Sequence, residues 1–284
     1  MCSSDLPWIN GPTGTLQIKA RELRLNQPLQ VLPEDNFLRK AVELVLAELG
    51  VSQTPTCKLT IYSDIPISAG LGASAAIAVA TMRALSAFLG HPLEKETLNR
   101  LGFETERLMH GNPSGIDNTV IVYEQPILFR KGELIEFVYP SKNLHFLIAD
   151  SGIKKATADT VAYLAKQRER NPQFVEAALE EIGRIALFGK KAFEQGDLSA
   201  LGDAMNANQA LLAQLDLSCE ALEKLIVAAR QAGALGAKLT GGGKGGNMLA
   251  LVTPETHEAV RNALLSAGAV SIYQTNLKGV QDND

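Results

Sequence analysis

The run from Ala69 to Leu89 limits the fold more than any other stretch of this chain, because it is nearly all small or apolar and carries one charge, Arg83. A segment of that kind is buried all round in a protein or lies in a membrane. A membrane span would be more uniformly Leu, Ile, Val or Phe and would not hold an arginine at mid-length. This run is rich in Ala and Ser and opens out of a glycine-rich turn, Pro66-Ile67-Ser68-Ala69-Gly70-Leu71-Gly72-Ala73-Ser74-Ala75-Ala76. It reads as a core helix from about Ser74 to Leu89.

Periodicity supplies the neighbouring elements. Leu16 to Ala20 and Leu29 to Leu32 predict short strands, Asn36 to Leu49 an amphipathic helix closed by Gly50, and Cys57 to Ser63 a half-buried strand. A helix over Glu94 to His110 follows, then meander strands at Val120 to Tyr123, Ile127 to Arg130 and Leu134 to Val138. Beyond an apolar strand at Leu144 to Ala149, long helices dominate: Thr157 to Arg168, Pro172 to Glu194, Leu198 to Leu215 and Ser218 to Ala232. Strands at Ala237 to Leu239 and Asn247 to Val252, a helix from Pro254 to Ala267 and a strand from Ala269 to Thr275 complete an α/β chain. The shift from strands to long helices places the expected domain boundary at 142.

Composition excludes several functions. The net charge of −4 and the lack of a Lys/Arg cluster argue against a nucleic-acid partner. Cys2, Cys57 and Cys219 are odd in number and lack Cys-x-x-Cys spacing, so neither a disulfide framework nor a zinc site is expected, and a reducing cytoplasm is the natural setting. No His-Glu-x-x-His pattern occurs, and neither a secretory signal nor a membrane anchor is visible.

Three segments carry chemistry. In the first glycine-rich turn, backbone N–H groups can approach an anion, and the helix that follows adds its unpaired N-terminal donors. Ser74 can set a hydroxyl beside a phosphate or on Mg²⁺, although the Gly-Lys-Ser/Thr of a Walker A loop is missing. The competing reading is tight packing of a small-residue helix on a sheet. Glu106, on a helix, and Asp117, on the turn His110-Gly111-Asn112-Pro113-Ser114-Gly115-Ile116-Asp117-Asn118, can converge. A hydroxyl that attacks a phosphoryl group needs one acid to take its proton and another to hold Mg²⁺; alone, each would read as a surface acid and a turn cap. The third segment, Lys238-Leu239-Thr240-Gly241-Gly242-Gly243-Lys244-Gly245-Gly246-Asn247, is too glycine-dense for a helix and sits between apolar strands.

In this order the three segments resemble the GHMP kinase family, and the Gly-Asn-Pro-Ser-Gly-x-Asp form at Gly111 to Asp117 is most like its mevalonate kinase branch. The resemblance runs from about residue 15 to 275. It implies a two-domain α/β (α+β) fold. Residues 1–142 would form a ribosomal-protein-S5-domain-2-like, ATP-binding N-terminal domain with a left-handed βαβ crossover, and 143–284 a ferredoxin-like C-terminal domain. It implies ATP and Mg²⁺ as cofactors and mevalonate as the small-molecule partner, in isoprenoid biosynthesis; a homodimer is among the assemblies it allows.

The implied roles follow residue by residue. Asp117 looks like the catalytic acid/base, and Ser74 and Glu106 like the magnesium ligands. Pro66 to Ala76 and Gly241, Gly242, Gly243 and Lys244 look like the nucleotide site, with Ala73 standing where the family usually has a serine. Ser114, Gly115, Lys155, Thr157 and Gly242 look like the acceptor site, Lys155 as a partner for a carboxylate and Thr157 as a hydrogen-bonder. Thr157 reads equally as a helix cap, and Lys244 as a solvated loop lysine.

The family's first motif, a Pro-Gly-Lys/Glu strand-turn with Gly-Glu-His, has no counterpart here, and Lys19 and Lys40 lie in the wrong context to replace its lysine. The opening Met1-Cys2-Ser3-Ser4-Asp5-Leu6 lacks periodicity and matches an in-frame sequencing-adapter end, so the expectation is a lost natural start; a genomic frame beginning at Met1 would contradict it. Two alternatives stay open: another small-molecule kinase of the family (phosphomevalonate, homoserine or sugar), and a non-catalytic nucleotide-binding scaffold.

Overall fold

The computed structural model describes residues 14–21, 23–65, 71–110, 113–130, 132–154 and 157–280, and the chain divides into two units, Met1–Ile135 and Glu136–Asp284. In the first unit, Asn36 starts helix α1 (Phe37–Glu48): its side chain accepts from the N–H groups of Leu38 and Arg39 at 3.0 and 3.3 Å. These are two of the donors that a helix start leaves unpaired. Phe37, Leu38, Ala41, Val42, Val45 and Leu46 form its buried face. They share one core with Leu16, Ile18 and Ala20 of β1 (Leu16–Ala20), Leu59 and Ile61 of β3 (Cys57–Ile61), and Ile77, Val79, Met82 and Leu85 of α2 (Ala73–Phe88). Helix α2 packs against α1, β3 and two further helices, α3 (Lys95–His110) and α4 (Ile116–Tyr123). That enclosure explains why its sequence is apolar on nearly every side.

Strand β1 pairs in parallel with β3 and antiparallel with β2 (Leu25–Pro28). The strand expected over Leu29 to Leu32 is instead a single 3₁₀ turn, Leu29–Val31. The reason is the early hairpin: Arg24, at φ 54°, turns the chain so that Leu25 already faces Ala20, and the register ends at Pro28, which has no N–H to continue the ladder. A second correction concerns Val120 to Tyr123, which form the end of α4 rather than a strand. Gly115, at φ 90°, starts this helix, Asp117 lies in its first turn, and packing against α2 and α3 outweighs the β preference of its valines. The other two expected meander strands shrink to β4 (Ile127–Leu128) and β5 (Glu136–Phe137).

The second unit contains β6 (Leu144–Asp150), α5 (Thr157–Arg170), α6 (Pro172–Gln195), α7 (Leu198–Gln214), α8 (Glu220–Gln231), β7 (Gly236–Leu239), β8 (Asn247–Val252), α9 (His257–Ser266) and β9 (Ser271–Leu277). Its sheet runs β7-β8-β6-β9 with every pair antiparallel. The succession β6-α8-β7-β8-α9-β9 is the ferredoxin-like βαββαβ pattern, with α5, α6 and α7 inserted before α8. Leu147, Ala149, Ala237, Leu239, Met248 and Ala250 pack one face of the sheet on Leu222, Leu225 and Ile226 of α8 and on Val260 and Leu264 of α9. Leu144, Phe146 and Leu251 of the opposite face meet Met205 of α7. Among the described residues no helix is long and apolar enough to cross a membrane.

Edge strand β7 would expose a row of backbone groups, and α7 covers them with side-chain amides. Asn206 donates to the Leu235 carbonyl and accepts from the Ala237 N–H, both at 3.1 Å, and Gln209 accepts from the Leu239 N–H at 2.8 Å. This approach depends on Gly202, where a Cβ would lie 2.4 Å from the Leu235 carbonyl oxygen. Gly→Ala inside a helix ordinarily stabilises by about 1 kcal/mol. Gly202→Ala should instead destabilise by about 1–3 kcal/mol, because backbone must move to admit the methyl. Urea denaturation checks this, and a midpoint at or above that of the parent contradicts the reading.

Candidate functional site

In the first unit the site is built where α2, α3 and α4 meet. Glu106, one turn before the end of α3, is only 3% exposed, and the Ser74 hydroxyl in the first turn of α2 donates to its Oε1 at 3.2 Å. Sequence reasoning paired these residues as metal ligands, and the fold brings their oxygens together. Asp117 is exposed on the first turn of α4. Gly72, in the left-handed region at φ 68°, starts α2 beside it: a Cβ there would sit 3.8 Å from Asp117 Cγ. A side chain at Gly72 would therefore be strained by its backbone conformation, and would lie in contact with the carboxylate. The first N–H groups of α2, which helix geometry leaves unpaired, open next to Asp117 and Ser74. Among the first glycine-rich turn's residues, Leu71, Gly72, Ala73, Ser74, Ala75 and Ala76 belong to this helix start; Pro66, Ile67, Ser68, Ala69 and Gly70 lie outside the described residues.

The seat of Asp117 depends on residues that motif reading passed over. Asn118 donates to the Asn99 side-chain oxygen at 2.6 Å and to its carbonyl at 3.2 Å. The Thr119 hydroxyl donates to the Gly115 carbonyl at 2.6 Å and lies 3.2 Å from the same Asn99 oxygen. Asn118 and Thr119 are 2% and 3% exposed and Asn99 is half-buried, so these bonds are largely shielded from water and costly to break. Gly115 is buried against the ring of Phe103, and the Ser114 hydroxyl accepts from the Ile116 N–H at 3.2 Å. At the other end of α4, Arg83 donates to the Val122 carbonyl at 2.6 Å and pairs with Glu124. The one charge in the apolar run thus closes the C-terminus of the helix that carries Asp117. The signal for Asn99 was non-local: nothing adjacent to it suggests chemistry.

In the second unit, the loop from Thr240 to Gly246 is braced on both sides. The Lys244 N–H donates to the Leu217 carbonyl at 2.8 Å and the Gly246 N–H to the Ile153 carbonyl at 2.7 Å. At Gly243 a Cβ would come within 2.1 Å of the Leu217 oxygen, so only glycine fits there. Gly241, Gly242 and Gly243 lie between strand β7 and this brace. Lys244 is engaged elsewhere: its ammonium pairs with Asp216 at 2.7 Å and sits 4.8 Å from the Tyr163 ring centroid. Tyr163 also bonds Asp216, and the two hydrogen bonds, that of Lys244 foremost, hold the Asp216 carboxyl below its usual range. The segment after β6 joins the same loop, because the Ser151 hydroxyl and N–H both donate to the Gly246 carbonyl, at 2.7 and 2.9 Å. Thr157 heads α5, with its side chain outside the described residues, as is Lys155.

Lys238, just before the loop, was quoted in the motif but given no role. Its ammonium donates to the Leu239 carbonyl at 2.7 Å and makes no ion pair among the described residues. Burial lowers its pKa from 10.5 to about 8. The folded state therefore holds a desolvated charge below pH 8, and that penalty fades as the pH rises through the interval between the folded and unfolded values. Lys238→Met should raise stability at pH 7 by about 1–3 kcal/mol, with the gain shrinking towards pH 10. Denaturation of both proteins at the two pH values checks this; a difference that does not change with pH contradicts a buried charge.

Which magnesium chemistry the donors suit can be judged from the donor set. Mg²⁺ keeps several waters and binds through one or two carboxylates plus phosphate oxygens, not an all-protein cage. One buried carboxylate beside one hydroxyl, at a helix start, fits that pattern. No cluster of three or more His, Cys, Asp or Glu occurs among the described residues.

Comparison with known proteins matches residues 36–125 to the GHMP kinases N terminal domain and 190–270 to the GHMP kinases C terminal domain. The mevalonate kinase of Pyrococcus horikoshii is 36% identical over 251 residues, spanning 87% of this chain and 74% of that protein. Among solved structures, L. major mevalonate kinase in complex with R-mevalonate has a TM-score of 0.80 at 30% identity, over 96% of this chain and 84% of that one. Methanococcus jannaschii mevalonate kinase reaches 0.83 at 23% identity, over 97% and 87%, a likeness of fold.

Proposed function

The chain belongs to the GHMP kinase family, and on that footing we propose that it transfers the γ-phosphoryl group of ATP to the primary hydroxyl of mevalonate. The hydroxyl oxygen attacks the γ-phosphorus, the bond to the bridging oxygen breaks, ADP leaves, and Asp117 takes the hydroxyl proton. Ser74 and Glu106 would hold Mg²⁺, which when bound offsets charge on the β- and γ-phosphates. The unpaired N–H groups at the start of α2 face the phosphates, and Gly241, Gly242 and Gly243 supply backbone donors from the second glycine-rich loop. On the family resemblance, the acceptor is assigned to Ser114 and Gly115 of the first unit and to Lys155, Thr157 and Gly242 of the second. Lys244 serves the loop by anchoring it to Asp216, a role that its ion pair favours over free charge for phosphate. The free thiols Cys57 and Cys219, the former buried with its pKa pushed up to about 11, support a cytoplasmic setting.

The observation that carries this reading is the meeting of three groups at the start of α2: the Ser74–Glu106 contact, the unpaired helix donors, and the exposed Asp117 carboxylate against Gly72. On this reading, a carboxylate that takes a hydroxyl proton stands beside the helix start proposed to take the phosphates and Mg²⁺. Asp117→Asn should lower mevalonate-dependent ADP release by about 10²–10⁴-fold and leave ATP binding near that of the parent. Turnover unaffected by this substitution overturns the assignment of Asp117, and nucleotide binding without turnover in the parent would favour a scaffold.

A further inference from the structure

We propose that Gln209, on α7, is the positioning residue of the second glycine-rich loop, setting the height and direction of the donors it presents to nucleotide phosphates. The proposal rests on the reading of Thr240 to Gly246 as phosphate-facing. Gln209 is 2% exposed, and both its side-chain oxygen and its side-chain nitrogen are hydrogen-bonded. Its oxygen accepts from the Leu239 N–H at 2.8 Å, and its nitrogen donates to Glu223 Oε1 at 2.6 Å and to the Ser218 hydroxyl at 3.3 Å.

Two of these three partners, Leu239 and Ser218, adjoin the loop's entry and one of its supports. Leu239 is the last residue of β7, so Gln209 fixes the strand where it enters the loop. Ser218 follows Leu217, whose carbonyl receives the Lys244 N–H and against which Gly243 packs. One amide therefore sets the spacing between the entering strand and the surface on which the far side of the loop rests. Because β7 is an edge strand, the outward N–H of Leu239 faces no strand, and the amide of a helix takes that place. Asn206 makes equivalent bonds one turn earlier, to Leu235 and Ala237, and so braces the strand without touching a support of the loop. That difference separates positioning from stability.

The test uses the full chain, with amide hydrogen exchange over residues 239–246 and calorimetric binding of Mg·ATP as its two readouts. Gln209→Leu should accelerate exchange in this segment and weaken nucleotide binding about tenfold, the effect of leaving buried hydrogen-bonding groups unmatched. Gln209→Glu keeps the acceptor for Leu239 but sets a carboxylate against Glu223, and should show the same loss. Adding Glu223→Gln restores a donor across that contact, so the double variant should return to within about threefold of the parent. Asn206→Ala should lower the denaturation midpoint while leaving nucleotide affinity unchanged.

The proposal fails if folded Gln209→Leu binds nucleotide as the parent does, or if the double variant is no better than Gln209→Glu alone. Should Gln209→Leu not fold, the comparison of the single and double Glu variants decides. A parent that binds Mg·ATP but does not phosphorylate mevalonate would overturn the acceptor assignment and leave both readouts intact.

Discussion

The half-buried side chain of Asn99 is the constraint on which the first unit's candidate site depends. It lies on α3, as does Glu106, and holds Asn118 and Thr119 on α4, the helix that carries Asp117. A helix of eight residues has little stability of its own, so its direction is set by what grips it. Asn99 grips the first turn and Arg83 the last. Gly102 lets α3 come close enough, since a Cβ there would meet Asn118 at 3.2 Å and Val79 at 3.3 Å. Rigid support of this kind is what proton transfer needs, because a carboxylate displaced by about 1 Å loses much of its rate advantage.

The second unit solves a different problem with similar chemistry. A glycine-rich loop offers close approach to an anion but has little stiffness of its own. Here stiffness comes from outside: Leu217 and Ile153 receive its N–H groups, Ser151 donates to its last carbonyl, and α7 secures the strand that leads into it. Lys244, the cation of the loop, is held by Asp216 and Tyr163 and so acts as one more strut. In both units, side-chain amides, backbone bonds and ion pairs fix the geometry together.

Much of this was legible in the order of residues, and the parts that were not share a cause. Helices α1 and α2 could be read because their apolar faces and the Asn36 cap are local properties. The glycine-rich turn, Glu106 and Asp117 could be singled out because their chemistry sits in contiguous motifs. Val120 to Tyr123 misled because β-branched residues in a short run look like a strand, whereas a left-handed glycine and packing on two helices make them helical. The Lys244–Asp216 pair, the Asn99 cluster and the grip of Gln209 on Leu239 join residues far apart in sequence, and polar residues in helices ordinarily read as solvated. Their partners, brought beside them only by the fold, are what give them roles.

The account stands most directly on which alcohol receives the phosphate. Incubating the chain with Mg·ATP and, in turn, mevalonate, phosphomevalonate, homoserine and galactose, with product mass as the readout, would decide it. The account predicts ADP and a mevalonate carrying one added phosphate, with no comparable product from the other acceptors. Phosphorylation of a different acceptor in preference to mevalonate, or nucleotide binding with no transfer to any of them, would contradict it.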